Sequence, residues 1–128
     1  MSIAIFYQCT GENTLAEKPT WNLLLIDPQL MSRATLKRQL EYYGYAVFEA
    51  DSGRAGVQIF QAKSREIDLT ILDTGISDVP ADKVLAVLGK LNPNIKTVLV
   101  TDQSLTDGRE VAEGVVGVIK KPVRTDRL

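Results

Sequence analysis

Four residues stand where apolar runs end. Asp27 closes Trp21-Asn-Leu-Leu-Leu-Ile26, Asp73 closes Asp68-Leu-Thr-Ile-Leu72, Thr101 closes Lys96-Thr-Val-Leu-Val100, and Lys121 follows Val115-Val-Gly-Val-Ile119. A single carboxylate in such a place is an ordinary turn or cap residue. Two carboxylates, a hydroxyl and a lysine, each after a run of this kind, make a chemical set. A carboxylate can attack phosphorus and form an acyl phosphate. That attack needs a hard cation with oxygen ligands to neutralise the transferring oxygens, and a second carboxylate helps to hold it. Lysine offers a compact positive charge to one phosphate oxygen, and a hydroxyl donates to another. The set therefore predicts a site for a divalent cation and a phosphoryl group, provided that folding brings the four run ends to one edge.

The pattern between them supplies that frame. Residues 21–26 form a continuous apolar run, which predicts a strand buried on both faces. Pro28 suits the first position of a following helix. This helix runs to about Tyr43, with Leu36, Leu40 and Tyr43 at helical spacing and Gly44 as its stop. Tyr45–Ala50 reads as a second strand. Ser52 caps a helix reaching Phe60 and Ala62, with Ala55, Ile59 and Ala62 inward. Residues 68–73 form a third strand, and 81–91 a third helix with Val84, Leu85, Leu88 and Leu91 inward, ended by Asn92-Pro93-Asn94. Residues 96–101, 105–114 and 115–119 read as strand, helix and strand, the last broken by Lys121-Pro122. Strands alternating with helices predict an α/β parallel sheet with right-handed crossovers and helices on both faces. In such sheets ligands bind beyond the carboxyl ends of the strands. The four residues lie there.

The order Leu-Leu-Leu-Ile-Asp27, Asp68-Leu-Thr-Ile-Leu-Asp73, Thr-Val-Leu-Val-Thr101 and Lys121-Pro122 resembles the receiver domain of bacterial two-component response regulators over residues 21–124. The resemblance implies a doubly wound, CheY-like, five-stranded parallel sheet of order 2-1-3-4-5. It implies that Asp73 is the phosphoacceptor and that Asp27, Asp73 and the backbone carbonyl of Gly75 hold Mg2+. Thr101 becomes the switch hydroxyl and Lys121 the lysine on the phosphate. It further implies a histidine kinase or phosphotransfer protein as phosphodonor. The domain would signal rather than act as a metabolic enzyme, while promoting its own phosphorylation and dephosphorylation. Its output would be altered protein contacts involving the fourth helix and fifth strand.

The sequence departs from that family at several points. The family carries two adjacent acids after the first strand, and here the second is Pro28. One carboxylate fewer predicts weak Mg2+ binding, because Mg2+ dehydrates reluctantly. Asp78 and Asp82, in and after the loop beyond Asp73, read as turn and cap residues, and Asp102 as a solvated loop residue. Val118 stands where the family has an aromatic switch residue, so a signal must travel by loop or helix movement. Only Arg-Thr-Asp-Arg-Leu128 follows Val123, so the last helix is short or missing. Ile3, Ile5, Phe6 and Tyr7 are expected to cover the sheet surface this bares, in the same chain or a partner, unless the sequence is a piece of a longer protein.

Bulk properties bound the alternatives. The chain has 128 residues, 45% hydrophobic and 24% charged, which fits one domain. Residues 1–20 read as an extension or linker, and 21–128 as the domain. The net charge of −1 offers no field for nucleic acid or an anionic membrane. Cys9 is the lone cysteine and there is no histidine, which excludes an internal disulfide and histidine-based catalysis. No stretch is long enough for a membrane span, and the amino terminus lacks a signal peptide's basic start, so the expected compartment is the cytoplasm. The rival reading is a degenerate receiver that docks or forms homodimers independently of phosphate. Pro28 and Val118 favour it, and Asp73, Thr101 and Lys121 oppose it.

Overall fold

The computed structural model of the chain describes residues 20–102 and 114–121. The amino-terminal extension with Cys9, the expected helix before Gly114 and the expected remnant of a last helix lie outside those residues.

Strand β1 (Asn22–Ile26) is the hub of the sheet, and Leu23–Ile26 are all buried. Strand β2 (Ala46–Ala50) pairs with it on one side and β3 (Leu69–Asp73) on the other, both parallel. Strand β4 (Lys96–Thr101) follows β3, and β5 (Val115–Lys120) follows β4. The order is β2-β1-β3-β4-β5, the doubly wound arrangement. The register aligns Ile26 with Ala50 and Leu72, Asp73 with Val100, and Thr101 with Lys120, so the strands end along one rim.

Each face of the sheet buries its own core. Leu23, Leu25, Leu69, Ile71, Val98 and Val100 meet Leu36 and Leu40 of helix α1 (Leu30–Tyr42). On the other face Leu24, Ile26, Leu72 and Leu99 meet Phe60 of α2 (Gly53–Lys63) and Val84 and Leu88 of α3 (Ala81–Leu91). Full burial of a side chain such as Phe60 contributes about 2–3 kcal/mol, so these layers hold the rim in place. No helix among the described residues is long and apolar enough to cross a membrane.

Several expected details shift. Helix α1 starts at Leu30 with Gln29 as its cap residue, and Pro28 sits in the bend before it rather than in its first turn. The Asp27 carboxylate accepts the Gln29 N–H at 2.9 Å, and this turn across Pro28 delays the helix. Gly44 ends α1 as expected, at φ +96°, a conformation that glycine adopts freely. The Ser52 side chain accepts the Ala55 N–H at 3.0 Å and caps α2. Helix α2 buries Gly53, Gly56 and Phe60 most deeply and packs Ala55 and Ile59, half-buried, against the same core as expected, whereas Ala62 is exposed. The burial of Gly56 reflects close approach: a Cβ there would stand 2.7 Å from Ile26 Cγ1. At the end of α3, Leu91 is exposed because the chain turns away at Asn92. Asp68 precedes β3 and ties it to β1 by accepting the Asn22 N–H at 2.8 Å.

Candidate functional site

The rim is built from three segments. Asp27, the residue after β1, is 2% exposed. Its N–H donates to the Ala50 carbonyl at 3.0 Å, which extends the β1–β2 ladder by one step. One carboxylate oxygen, Oδ1, accepts the Gln29 N–H, and the other, Oδ2, accepts the Ser32 hydroxyl at 2.7 Å. Arg33 clamps the same loop. Its Nη1 donates to the Asp27 carbonyl at 2.8 Å while its Nε pairs with Glu49 of β2 at 3.0 Å. The Asp27 side chain is thereby fixed from both sides.

Asp73 ends β3 and is 5% exposed. The next N–H, of Thr74, donates to the Val100 carbonyl at 2.8 Å and keeps the strand straight to its end. Asp73 Oδ1 accepts the Gly75 N–H at 2.7 Å. Asp73 Oδ2 is buried, takes part in no hydrogen bond of regular geometry, and faces the Lys121 ammonium in an ion pair.

Lys121 reaches this point because its N–H donates to the Thr101 carbonyl at 2.7 Å, carrying the β4–β5 pairing past the last strand residue. Its ammonium lies 3.6 Å from Asp27 Oδ1 and donates to Gln29 Oε1 at 3.2 Å. Removing a carboxylate from water costs several kcal/mol. The two buried acids therefore need this ammonium or another cation between them.

The structure thus joins Asp27, Asp73 and Lys121 by direct ion pairs, and attaches Thr101 to them through the backbone. Thr101 is buried at the end of β4, Gly75 lies in the loop held by Asp73, and Pro28 is exposed beside Asp27. Val118 is 39% exposed on β5, and Asp102 is exposed just past the rim. Asp78 stands apart from the cluster. Its carboxylate accepts the N–H groups of Gly53 and Arg54, each at 2.9 Å, and so caps α2 from the loop after β3. The N–H of Arg54, then that of Gly53, holds its carboxyl below the usual carboxylate range. Asp82 is exposed in the first turn of α3, where a negative charge is favoured.

Sequence reasoning missed Gln29, Ser32 and Arg33. Ser32 and Arg33 lie on the first turn of α1, five and six residues past Asp27, a spacing that folds a helix back onto the residue before it. Nothing in the sequence marks Gln29.

The donor set suits a hard cation, but sparsely. Asp27 and Asp73 offer carboxylate oxygens, and Asp73 Oδ2 is a buried acceptor with no regular hydrogen bond. No group of three or more His, Cys, Asp or Glu able to hold a metal occurs among the described residues. Two carboxylates on one rim fit Mg2+ with less charge than a full set supplies.

The chain and its fold are similar to known proteins. The model of the response regulator receiver domain matches residues 23–128. Transcriptional regulatory protein GlrR of Escherichia coli strain K12 is 28% identical over 116 residues, covering 89% of this chain and 26% of that protein. Sensor kinase CckA of Brucella abortus is 29% identical over 79 residues, covering 62% of this chain and 8% of that protein. The chain thus spans about a quarter, or less, of the curated relatives it matches. Among solved structures, a response regulator receiver domain protein from Clostridium thermocellum aligns with a TM-score of 0.76 and 26% identity over 83% of this chain and 86% of that one. Response regulator TrrA of Thermotoga maritima, solved in complex with Mg2+ and BeF, has the same fold at a TM-score of 0.74 and 22% identity, covering 84% and 91% of the two chains.

Proposed function

Because this chain belongs to the response regulator receiver domain family, we propose that Asp73 accepts a phosphoryl group from a histidine kinase or phosphotransfer protein. The observation that carries this reading is the state of Asp73 Oδ2: buried at a strand end, without a regular hydrogen bond, and paired to an ammonium. A carboxylate oxygen of Asp73 attacks phosphorus, and the new P–O bond forms as the bond to the donor's leaving atom breaks. The leaving group keeps that electron pair. Lys121 then contacts a phosphate oxygen, and the Thr101 hydroxyl donates to another. Asp27, Asp73 and the Gly75 carbonyl would hold Mg2+, which when bound supplies positive charge to the transferring oxygens. With Pro28 in the loop, that binding is weak.

The output is a changed protein-contact surface. A dianionic phosphate draws on Lys121 and Thr101, and thereby on the adjoining carboxyl ends of β4 and β5. Val118 has no ring to rotate inward, so loop or helix movement carries the signal. The relatives are long regulators and a kinase, and this reading makes residues 21–128 the signal-receiving unit of such a system.

Titration with beryllofluoride and Mg2+, followed by amide NMR, tests the reading. Shifts centred on Asp73, Thr101 and Lys121 are expected. An unchanged spectrum at saturating beryllofluoride would instead assign the domain to phosphate-independent docking.

A further inference from the structure

We propose that Gln29 supplies the third side-chain oxygen of the cation site, replacing the carboxylate that Pro28 removes. The inference rests on the reading of the Asp73 rim as a phosphorylation site. Three side-chain oxygens from separate residues converge on the Lys121 ammonium: Asp73 Oδ2 in an ion pair, Asp27 Oδ1 at 3.6 Å and Gln29 Oε1 at 3.2 Å. A positive charge enclosed by oxygens marks the place where this rim stabilises a cation. Amide oxygens are ordinary ligands of hard cations, as carboxylates are. The same three oxygens are therefore a donor set for a divalent ion once the lysine turns to a phosphate.

Gln29 is built into this position. Its N–H is fixed on Asp27 Oδ1, so its side chain leaves the backbone one residue beyond Pro28 in the same short loop. Two other side-chain oxygens in the neighbouring loops are already committed. The Ser32 hydroxyl donates to Asp27 Oδ2, and Asp78 is engaged with the first turn of α2. The replacement is neutral, so the site carries one negative charge fewer than a three-acid set. Weak cation binding follows from that deficit.

Calorimetric Mg2+ titration of the whole chain, repeated with Mn2+ by electron paramagnetic resonance, tests the assignment. Gln29→Glu should tighten both ions about tenfold, and Gln29→Ala should weaken them roughly threefold or more, in line with the dependence of affinity on ligand charge. Gln29 is exposed and its backbone N–H survives substitution, so both variants should keep the wild-type urea midpoint. Were Gln29→Ala to unfold, the Glu variant alone would decide. Wild-type affinity in Gln29→Glu, or no ion binding by the wild type, overturns the proposal. Acyl phosphate formation on Asp73 is measured in parallel. If it persists while Gln29→Glu leaves the affinity unmoved, the ligand assignment falls alone. If both acyl phosphate and ion binding are absent, the phosphorylation reading falls with it.

Discussion

Lys121 and Asp73 form an ion pair between strands that do not touch: Asp73 ends β3, Lys121 follows β5, and β4 lies between them. The lysine bridges this gap because its backbone is held to the Thr101 carbonyl while its side chain spans the rim. The charge balance of the whole site passes through this one side chain.

Replacing the lysine exposes that dependence. Lys121→Met leaves two buried carboxylates without their ammonium, an uncompensated cost of about 3–5 kcal/mol. Urea denaturation in metal-free buffer should show this loss, and millimolar Mg2+ should restore part of it. A variant as stable as the wild type without metal contradicts the account.

Asp78 predicts a pH dependence. Its carboxyl lies below the unfolded value of 3.8 because it accepts the Arg54 and Gly53 N–H groups. A folded pKa lowered in this way adds stability above pH 3.8, and that stability is lost as pH falls through the folded value. The stability gap between wild type and Asp78→Ala should therefore be constant near neutrality and close progressively below about pH 4. A gap that is unchanged at pH 2.5 would show that Asp78 acts by other means.

Gly56→Ala tests the packing that supports the first acid. The added methyl meets Ile26, the residue before Asp27. Overpacking at such a contact costs about 1–3 kcal/mol. Ile26→Val should recover part of that cost in a double-mutant cycle, because it removes a methyl from the crowded side chain. Strict additivity of the two substitutions would place the strain elsewhere.

Pro28→Asp restores the second acid of the family. Mg2+ affinity should rise about tenfold, from the added charge at a hard-cation site. Affinity equal to the wild type would mean that position 28 does not reach the ion.

Much of this was legible in the sequence. The runs of β1, β3 and β4 marked the parallel sheet because strands buried on both faces leave a continuous apolar stretch, as in Leu23–Ile26. The set Asp27, Asp73, Thr101 and Lys121 was visible because each polar residue stands at or just past the end of such a run. The start of α1 was not visible: Pro28 has the right φ for a first turn, and only the Asp27–Gln29 hydrogen bond decides against it. The inward face of α2 was legible only in part: Ala55 and Ile59 marked it, but glycine carries no hydrophobic signal, although the smallness of Gly56 lets the helix approach Ile26. Gln29 was hidden because a polar residue at a helix start looks like any solvated cap. Its part at the rim depends on Lys121, which lies 92 residues away in the chain.

The central claim is that Asp73 carries the phosphoryl group. Borohydride trapping after incubation with acetyl phosphate and Mg2+, followed by peptide mass spectrometry, reads it directly. An acyl phosphate is reduced to the alcohol of homoserine, and the account predicts that residue at position 73 alone, with none in Asp73→Asn. Homoserine at another aspartate, or none after full exposure to the donor, would contradict it.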